Sequence, residues 1–244
     1  MPTFRHGKTT NILLNGYDMS AYMNDAKASR SVDTGETTTF GASSKTYITG
    51  LADGTISLSG LFEASTSAGS DPVLSGQVAD STDDVLTIFP EGNILGRRAQ
   101  LSQGLITKYE VSAAVGDVVS ISADFQNDGG IDAGINLAAA RSVATATTTN
   151  ETGQDNAASS ANGGVATLHV TANANTGTTT FKVQHSTDNS TWVDLVTFTT
   201  VATTVIGAQY AVVTAGTTVN RYLRAQSTTA NTGAIVYSMA FARR

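Results

Sequence analysis

Apolar and polar residues alternate with a period of two along much of this chain. In residues 55–62 (TISLSGLF), Ile56, Leu58, Gly60 and Phe62 fall on one side and Thr55, Ser57, Ser59 and Leu61 on the other. That is the pattern of a half-buried strand. Asp53-Gly54, just before it, is a turn or bulge signal. Further along, Val119, Ile121, Ala123 and Phe125 alternate with Ser120, Ser122 and Asp124, while Ile106, Lys108 and Glu110 oppose Thr107, Tyr109 and Val111. Residues 11–14 (NILL) form a short apolar run closed by Asn15-Gly16, and 85–92 (VLTIFPEG) read as a strand ended by Pro90 and Gly92. Residues 18–25 predict one helical turn, with Asp18 or Ser20 as N-cap. A second, weakly alternating strand follows. Residues 34–50 are polar and glycine-punctuated, and predict a long hairpin connection or flexible arm. One helix is expected over 71–79. Ser70 or Asp71 would cap it, Pro72 would take its first position, and Val73, Leu74 and Val78 would share a face. Gly76 weakens that helix by about 1 kcal/mol relative to alanine.

Residues 143–164 are poor in bulky apolar side chains and rich in Thr, Ser, Asn, Ala and Gly, as in a linker. Six strand candidates follow at regular spacing: VATLHVTA, TTFKVQHS, WVDLVTFT, TVIGAQYAVV, RYLRAQS and AIVYSMAFA. This is the pattern of a sandwich or jelly roll. Val165, Leu168 and Val170 break the alternation of the first, which suggests a bulge. The organisation expected is residues 1–142, a flexible linker at 143–163, and a C-terminal β-sandwich at 164–244.

Composition agrees with a turn-rich β protein. The 244 residues include 23 Gly but 3 Pro, and 14% are charged. The net charge of −6 is uneven. Residues 1–142 hold nine Lys/Arg against sixteen Asp/Glu, and residues 143–244 hold five against four. An acidic first half repels phosphate, which disfavours a DNA-gripping role. With 0 Cys, neither a disulfide framework nor a thiolate zinc site is available. The opening residues contain no apolar run of signal-peptide length, and no segment reaches the ~20 apolar residues of a membrane span.

Candidate chemistry is sparse. The three histidines are His6, His169 and His185. His185 stands in HSTDNSTW near Ser186 and Asp188, but alternate strand residues face opposite ways, so this reads as a turn at 188–190 with Trp192 anchoring the core. DFQNDGGID places Asp124, Asp128, Gly129 and Asp132 at positions of a calcium loop. Gln126 stands at its third position, Ile135 at the twelfth, and no helices flank it, so a β-turn explains it better. Phosphate-cradling glycine loops, HExxH and GxSxG are absent from the sequence. No catalytic residue, cofactor site or metal site is expected, and the chain reads as non-enzymatic.

Residues 12–64, ILLNGYDMSAYMNDAKASRSVDTGETTTFGASSKTYITGLADGTISLSGLFEA, resemble the opening of the major tail tube proteins of long-tailed bacteriophages. The likeness lies in the order of parts: a short strand, "NG.D.S.Y", a polar second strand, "TTFG…K.YI.GL.DG", then an alternating strand. Residues 85–131 resemble the family's later part, where a strand with "P.G…G" leads to paired strands around Val115-Gly116-Asp117. The resemblance implies a mainly β fold: a tail-tube-type β-sandwich or barrel with one flanking α-helix, here followed by a C-terminal antiparallel β-sandwich. It implies hexameric rings whose sheets join around a channel, stacked into a tube that passes DNA in transit without binding it specifically. It also implies partners such as the tape measure and tail terminator proteins, and a place in the virion tail after synthesis in the host cytoplasm. Residues 34–46 match a ring-stacking arm, with Thr34, Glu36, Thr39, Phe40 and Lys45 as its candidate residues. Thr55, Ser57 and Ser59 are candidates for a channel wall or subunit contact.

FKVQHSTDNSTWVDL resembles the hairpin of immunoglobulin-like or jelly-roll modules appended to phage structural proteins. The implied role is decoration of the tube exterior with weak carbohydrate adhesion, and host surface glycans become a further partner. Trp192, Tyr210 and Tyr222 are the candidate glycan residues. The alternatives are a glycan-binding adhesin or capsid decoration protein, and a hydrolase using unmarked carboxylates.

Overall fold

The structure is a computed structural model that describes residues 4–78, 80–230 and 232–244. Among these, the protein is mainly β, with two antiparallel sheets and one short α-helix. The first half carries β1 (Asn11–Leu14), β2 (Tyr17–Asp18), β3 (Met23–Glu36), β4 (Tyr47–Leu61), α1 (Ser70–Gln77), β5 (Asp84–Phe89), β6 (Arg98–Ser112), β7 (Ser120–Asn127) and β8 (Asp132–Val143). The second carries β9 (Thr147–Asn150), β10 (Gln154–Asp155), β11 (Gly164–Asn173), β12 (Thr179–Ser186), β13 (Val193–Thr197), β14 (Gly207–Val213), β15 (Tyr222–Thr229) and β16 (Ile235–Arg243).

Contacts divide the chain into two compact units. The first comprises Met1–Ala21, Val85–Leu101 and Asp132–Arg244, and the second Tyr22–Asp84 and Ser102–Ile131. This partition differs from the expected division at 143–163. The expected linker carries β9 and β10, both paired with β15. β8 pairs with β16, from Val143 opposite Ile235 to Ile135 opposite Phe241. Small polar residues that read as a linker are therefore edge strands, where Thr suits the pleat without adding bulk.

In the first unit the five-stranded sheet of β9, β10, β12, β13 and β15 packs face to face on β8, β11, β14 and β16. Phe181, Val183, Leu223 and Ala225 meet Leu137, Leu168, Tyr237 and Phe241 in one buried core. The Phe181 and Tyr237 rings lie 4.7 Å apart, tilted by 58°. All six predicted C-terminal strands are present. β11 fails to alternate because it lies between β14 and β16 and is buried on both faces from Gly164 to Val170. The expected bulge falls near its end, between Val170 and Ala172. A second cluster (Leu13, Phe89, Ala99, Leu101, Val165, Ala240, Ala242) covers the reverse face. There the Thr87 hydroxyl of β5 donates to Thr167 of β11 at 3.1 Å and lies 2.8 Å from His169 Nε2.

The second unit carries four strands of the larger sheet in the order β3-β4-β7-β6; β3 pairs with β4 alone, whereas β6 also pairs with β5 and, through Arg98–Leu101, with β8. Ile56 and Leu58 are buried with Ile121, Ala123, Phe125 and Ile106, as the alternation predicts. Phe62 does not join them. β4 stops at Leu61, and Phe62 stays partly exposed. A bulge at Thr107 shifts the β6 register, so Ile106 shares its face with Tyr109 and Val111 rather than with Lys108 and Glu110. Asp53-Gly54 makes no turn; β4 runs straight through it, and a Cβ on Gly54 would sit 2.9 Å from Ile131 Cγ1. Residues 20–22 form a turn rather than a helix, closed by the Ser20 N–H donating to Asp18 at 3.0 Å.

Helix α1 covers the apolar face with Val73 and Leu74 buried, and the Tyr109 hydroxyl donates to Asp71 at 2.6 Å. Burial, together with this carboxylate, pushes the Tyr109 phenol upward. The N-cap is Gly69, not Ser70 or Asp71, so Pro72 is third in the helix. Ser70 instead ties the helix to the sheet, donating to the Leu61 carbonyl at 2.7 Å and accepting from the Glu63 N–H at 2.9 Å. Ala79, the expected last helical residue, lies outside the described residues.

Candidate functional site

The second unit presents two features with no role in its core. The first is the outward face of its sheet. Register places Thr55, Ser57 and Ser59 of β4 beside Ser29, Lys27 and Asp25 of β3, and beside Gln126, Asp124 and Ser122 of β7. Lys108, Glu110 and Ser112 of β6 continue the face. Strand period two allows this separation on four neighbouring strands, with Leu61 and Leu105 as the apolar exceptions on this face. Ser57 donates to Asp124 at 2.7 Å, Gln126 donates to Asp53 at 2.7 Å, and Lys108 pairs with Glu110 at 3.0 Å. Counting Asp25, Asp53, Asp124 and Glu110 against Lys27 and Lys108, the face is net −2. A shallow cleft of about 220 Å³ lies on it, lined by Ser59, Ser112, Ser120, Ser122 and Glu110. The three candidate residues are thus together, in a wider hydroxyl and acid surface. Ser122, Asp124, Lys108 and Glu110 were within reach of the same alternation argument, apart from the Thr107 bulge.

The second feature is the arm. Every residue from 29 to 53 is exposed. The expected flexible connection is largely a ribbon, because β3 runs to Glu36 and β4 starts at Tyr47, with Glu36 opposite Tyr47. The Thr37 N–H donates to the Thr46 carbonyl at 2.8 Å, and Lys45 pairs with Glu36 at 3.1 Å. Thr34 lies in the ribbon; Thr39 and Phe40 lie at the tip, and Phe40 is 109% exposed. The ion pair is exposed at both ends and contributes at most about 1 kcal/mol.

The candidate glycan residues do not form one site. Tyr210 is on β14, with its hydroxyl 3.5 Å from Asp132, whereas Tyr222 is on β15 of the five-stranded sheet. Trp192, expected in the core, is half-buried with the Arg224 guanidinium 4.3 Å over its ring. Arg224, Gln226, Gln184 and Lys182 share the outward face of that sheet and bond mainly to one another and to Asp194 and Asn150. The amides that would greet a sugar are engaged with each other.

The remaining polar candidates serve structure. Asp188 accepts from Ser186, Ser190 and Thr191 and closes the predicted turn, and those bonds hold its carboxyl below the usual range. His185 Nδ1 accepts from the Asn220 N–H at 3.2 Å. The carboxylates of DFQNDGGID diverge: Asp124 accepts from Ser57, and Asp132 binds the Arg244 guanidinium at 2.8 Å.

No protein-family model and no curated protein matches the chain. Among solved structures, it is similar to a chain of the virion of a native gene transfer agent particle. The two are 14% identical with a TM-score of 0.42, over 52% of this chain and 97% of that one. A chain from the tail of an empty gene transfer agent particle, refined with C6 symmetry, is 13% identical with a TM-score of 0.41, over 52% of this chain and 97% of that one. The SPP1 Dit protein, a hub adsorption apparatus component of phages infecting Gram-positive bacteria, is 12% identical with a TM-score of 0.38. That match covers 94% of this chain and 98% of Dit.

Proposed function

We propose that this chain is a non-enzymatic structural subunit of a phage-like tail. In this reading the second unit joins edge to edge with other copies into a hexameric ring. Rings stack into the tube that passes DNA, and residues 164–244 are displayed on its outside. The tail terminator and tape measure proteins are its partners there. The observation that carries the reading is a run of four neighbouring strands ending in β3, which pairs on one side only, with one face packed and the other mainly hydroxyl and acid. Open edges of this length are otherwise an aggregation hazard, and closure into a barrel removes them.

The dimensions are consistent. Four strands from each of six copies make a 24-stranded barrel. At ~4.8 Å between strands and a tilt near 40°, its backbone cylinder is roughly 48 Å across. Side chains reaching about 5 Å inward leave roughly 38 Å, enough for a duplex. The wall then carries −2 from each of six copies, or −12 per ring. Screening confines that repulsion to about 8 Å at physiological salt, so the wall repels only DNA that drifts against it. Hydroxyls facing the lumen offer weak, exchangeable contacts. Electron microscopy of the purified protein tests the reading: closed rings or hollow tubes are expected, and a chain that stays monomeric at high concentration refutes it.

A further inference from the structure

Two arginines stand at the start of β15, and each lies over an aromatic ring. The Arg221 guanidinium is 5.0 Å from the centre of the Tyr222 ring, and the Arg224 guanidinium is 4.3 Å from the centre of the Trp192 ring. Their other partners differ. Both oxygens of Asp155 fill the Arg221 fork, one 2.7 Å from Nε and the other 2.6 Å from Nη2. Arg224 donates through Nε to the Gln184 side-chain carbonyl at 2.9 Å, and neither of its Nη atoms makes a hydrogen bond among the described residues. The acids around it are committed elsewhere. Asp194 accepts from Gln184 at 2.7 Å and from Lys182 at 2.6 Å, and Asp188 closes its own turn. The two guanidiniums respond in opposite directions. The hydrogen bond from Asp155 raises the Arg221 pKa above its usual value, whereas burial presses that of Arg224 down with no acid to oppose it.

We propose that the open Arg224 fork, backed by Trp192, is a binding site for the carboxylate of an acidic saccharide. A planar guanidinium takes a carboxylate through two parallel hydrogen bonds, and this chain already fills the neighbouring fork in that way. Arg224 is also ordered in advance. Trp192 covers one side of it, and Gln184, itself buried and tied to Asp194, fixes Nε. Little rotamer freedom is left to lose on binding. The surroundings favour a saccharide over the acidic side chain of a protein. Among the described residues, no exposed large apolar side chain stands on β9, β12 or β15, and protein interfaces centre on such anchors. Thr148, Asn150 and Thr228 are exposed on the same face and suit a ligand rich in hydroxyls. The amides of this face are engaged with one another, so charge rather than neutral hydrogen bonding selects the ligand. All these residues belong to the first unit, so the site goes beyond the tail-subunit reading and does not depend on ring closure.

Trp192 is the single Trp of the chain, so its emission reports on this site alone. The full-length protein is titrated with sodium glucuronate at pH 7 and constant ionic strength. A saturable change in emission is expected, with none from glucose or sodium chloride. Acetate is expected to need a higher concentration, because it lacks the hydroxyls. Arg224→Gln and Arg224→Lys should each raise the half-saturating concentration about tenfold or more, since the first removes the charge and the second the fork. Both substitutions change the surroundings of the indole directly, so calorimetric titration repeats the comparison without it. No saturable change with glucuronate, an equal change with chloride, or unchanged half-saturation in Arg224→Gln overturns the proposal. Acetate or an acetylated aspartate amide binding as tightly as glucuronate overturns the saccharide as ligand. A monomer that binds glucuronate refutes the ring alone, and rings that ignore it refute this site alone.

Discussion

Burial of His169 is expected to make this fold acid-sensitive. Its side chain is buried in the first unit among neutral partners. Nδ1 accepts from the Gly16 N–H at 3.4 Å, and Nε2 lies 2.8 Å from the Thr87 hydroxyl, which itself donates to Thr167. Thr87 therefore accepts from His169, and the ring is neutral with its proton on Nε2. A second proton would sit on Nδ1, facing another donor. Burial pushes the His169 pKa down to about 3, from 6.5 in the unfolded chain. The folded value is the lower one, so below 6.5 the unfolded chain takes up a proton that the folded chain refuses. The stability is fully present above pH 6.5 and falls by about 1.36 kcal/mol per unit below it. Between pH 7 and 4.5 the loss from this one group is roughly 2 to 3 kcal/mol, a large share of a typical domain's stability. Urea melts of the wild type and His169→Gln at pH 7, 6, 5 and 4.5 isolate it, because every other titrating group is common to both. The variant is expected to be less stable at pH 7, with the gap closing by roughly 2 to 3 kcal/mol by pH 4.5. A gap independent of pH would falsify the assignment of a buried neutral imidazole.

Other expectations follow from the second unit. A Cβ on Gly104 would run into the Gln126 carbonyl oxygen across the β6–β7 ladder, so Gly104→Ala should cost about 3 kcal/mol in a denaturant melt. An unchanged midpoint would mean the strands approach less closely than described. Replacing Thr55, Ser57 and Ser59 by lysine turns the polar face from −2 to +1 per copy. Assemblies of that variant should retard duplex DNA in a gel at 0.05 M salt and release it steeply at higher salt, whereas wild-type assemblies should not retard it. Equal mobility with both proteins would place this face away from the DNA path.

Much of the second unit was legible because its signals are local. Thr55, Ser57 and Ser59 alternate with buried Ile56 and Leu58, and period two alone sorts them. The six C-terminal strands were legible for the same reason. What escaped the reading depends on contacts made at a distance. The Thr107 bulge is a property of the β6–β7 pair, and no residue in β6 signals it. Ser70 has the chemistry of a cap, yet its hydroxyl serves Leu61 and Glu63. Residues 147–155 have linker composition, but β15 supplies the hydrogen-bonding edge that makes them strands. Trp192 was expected in the core because it is large and apolar; its ring is instead held half-buried by Arg224, a cation–π contact across 32 positions of sequence.

The pairing of β8 with β16 has a consequence for the order of events. Val143 finds its partner at Ile235 and Ile135 at Phe241, so one edge of that ladder waits for a segment almost a hundred positions downstream. The β3–β4 and β6–β7 pairs, by contrast, close over short connections. Nearby pairings form first, and distant ones carry the entropy of a long closed loop. A chain emerging in sequence thus has the second unit's sheet and projecting ribbon paired while its sandwich is still open. Slowing the sandwich, rather than weakening the sheet, therefore lengthens the time in which β8 stands without the partner that β16 supplies.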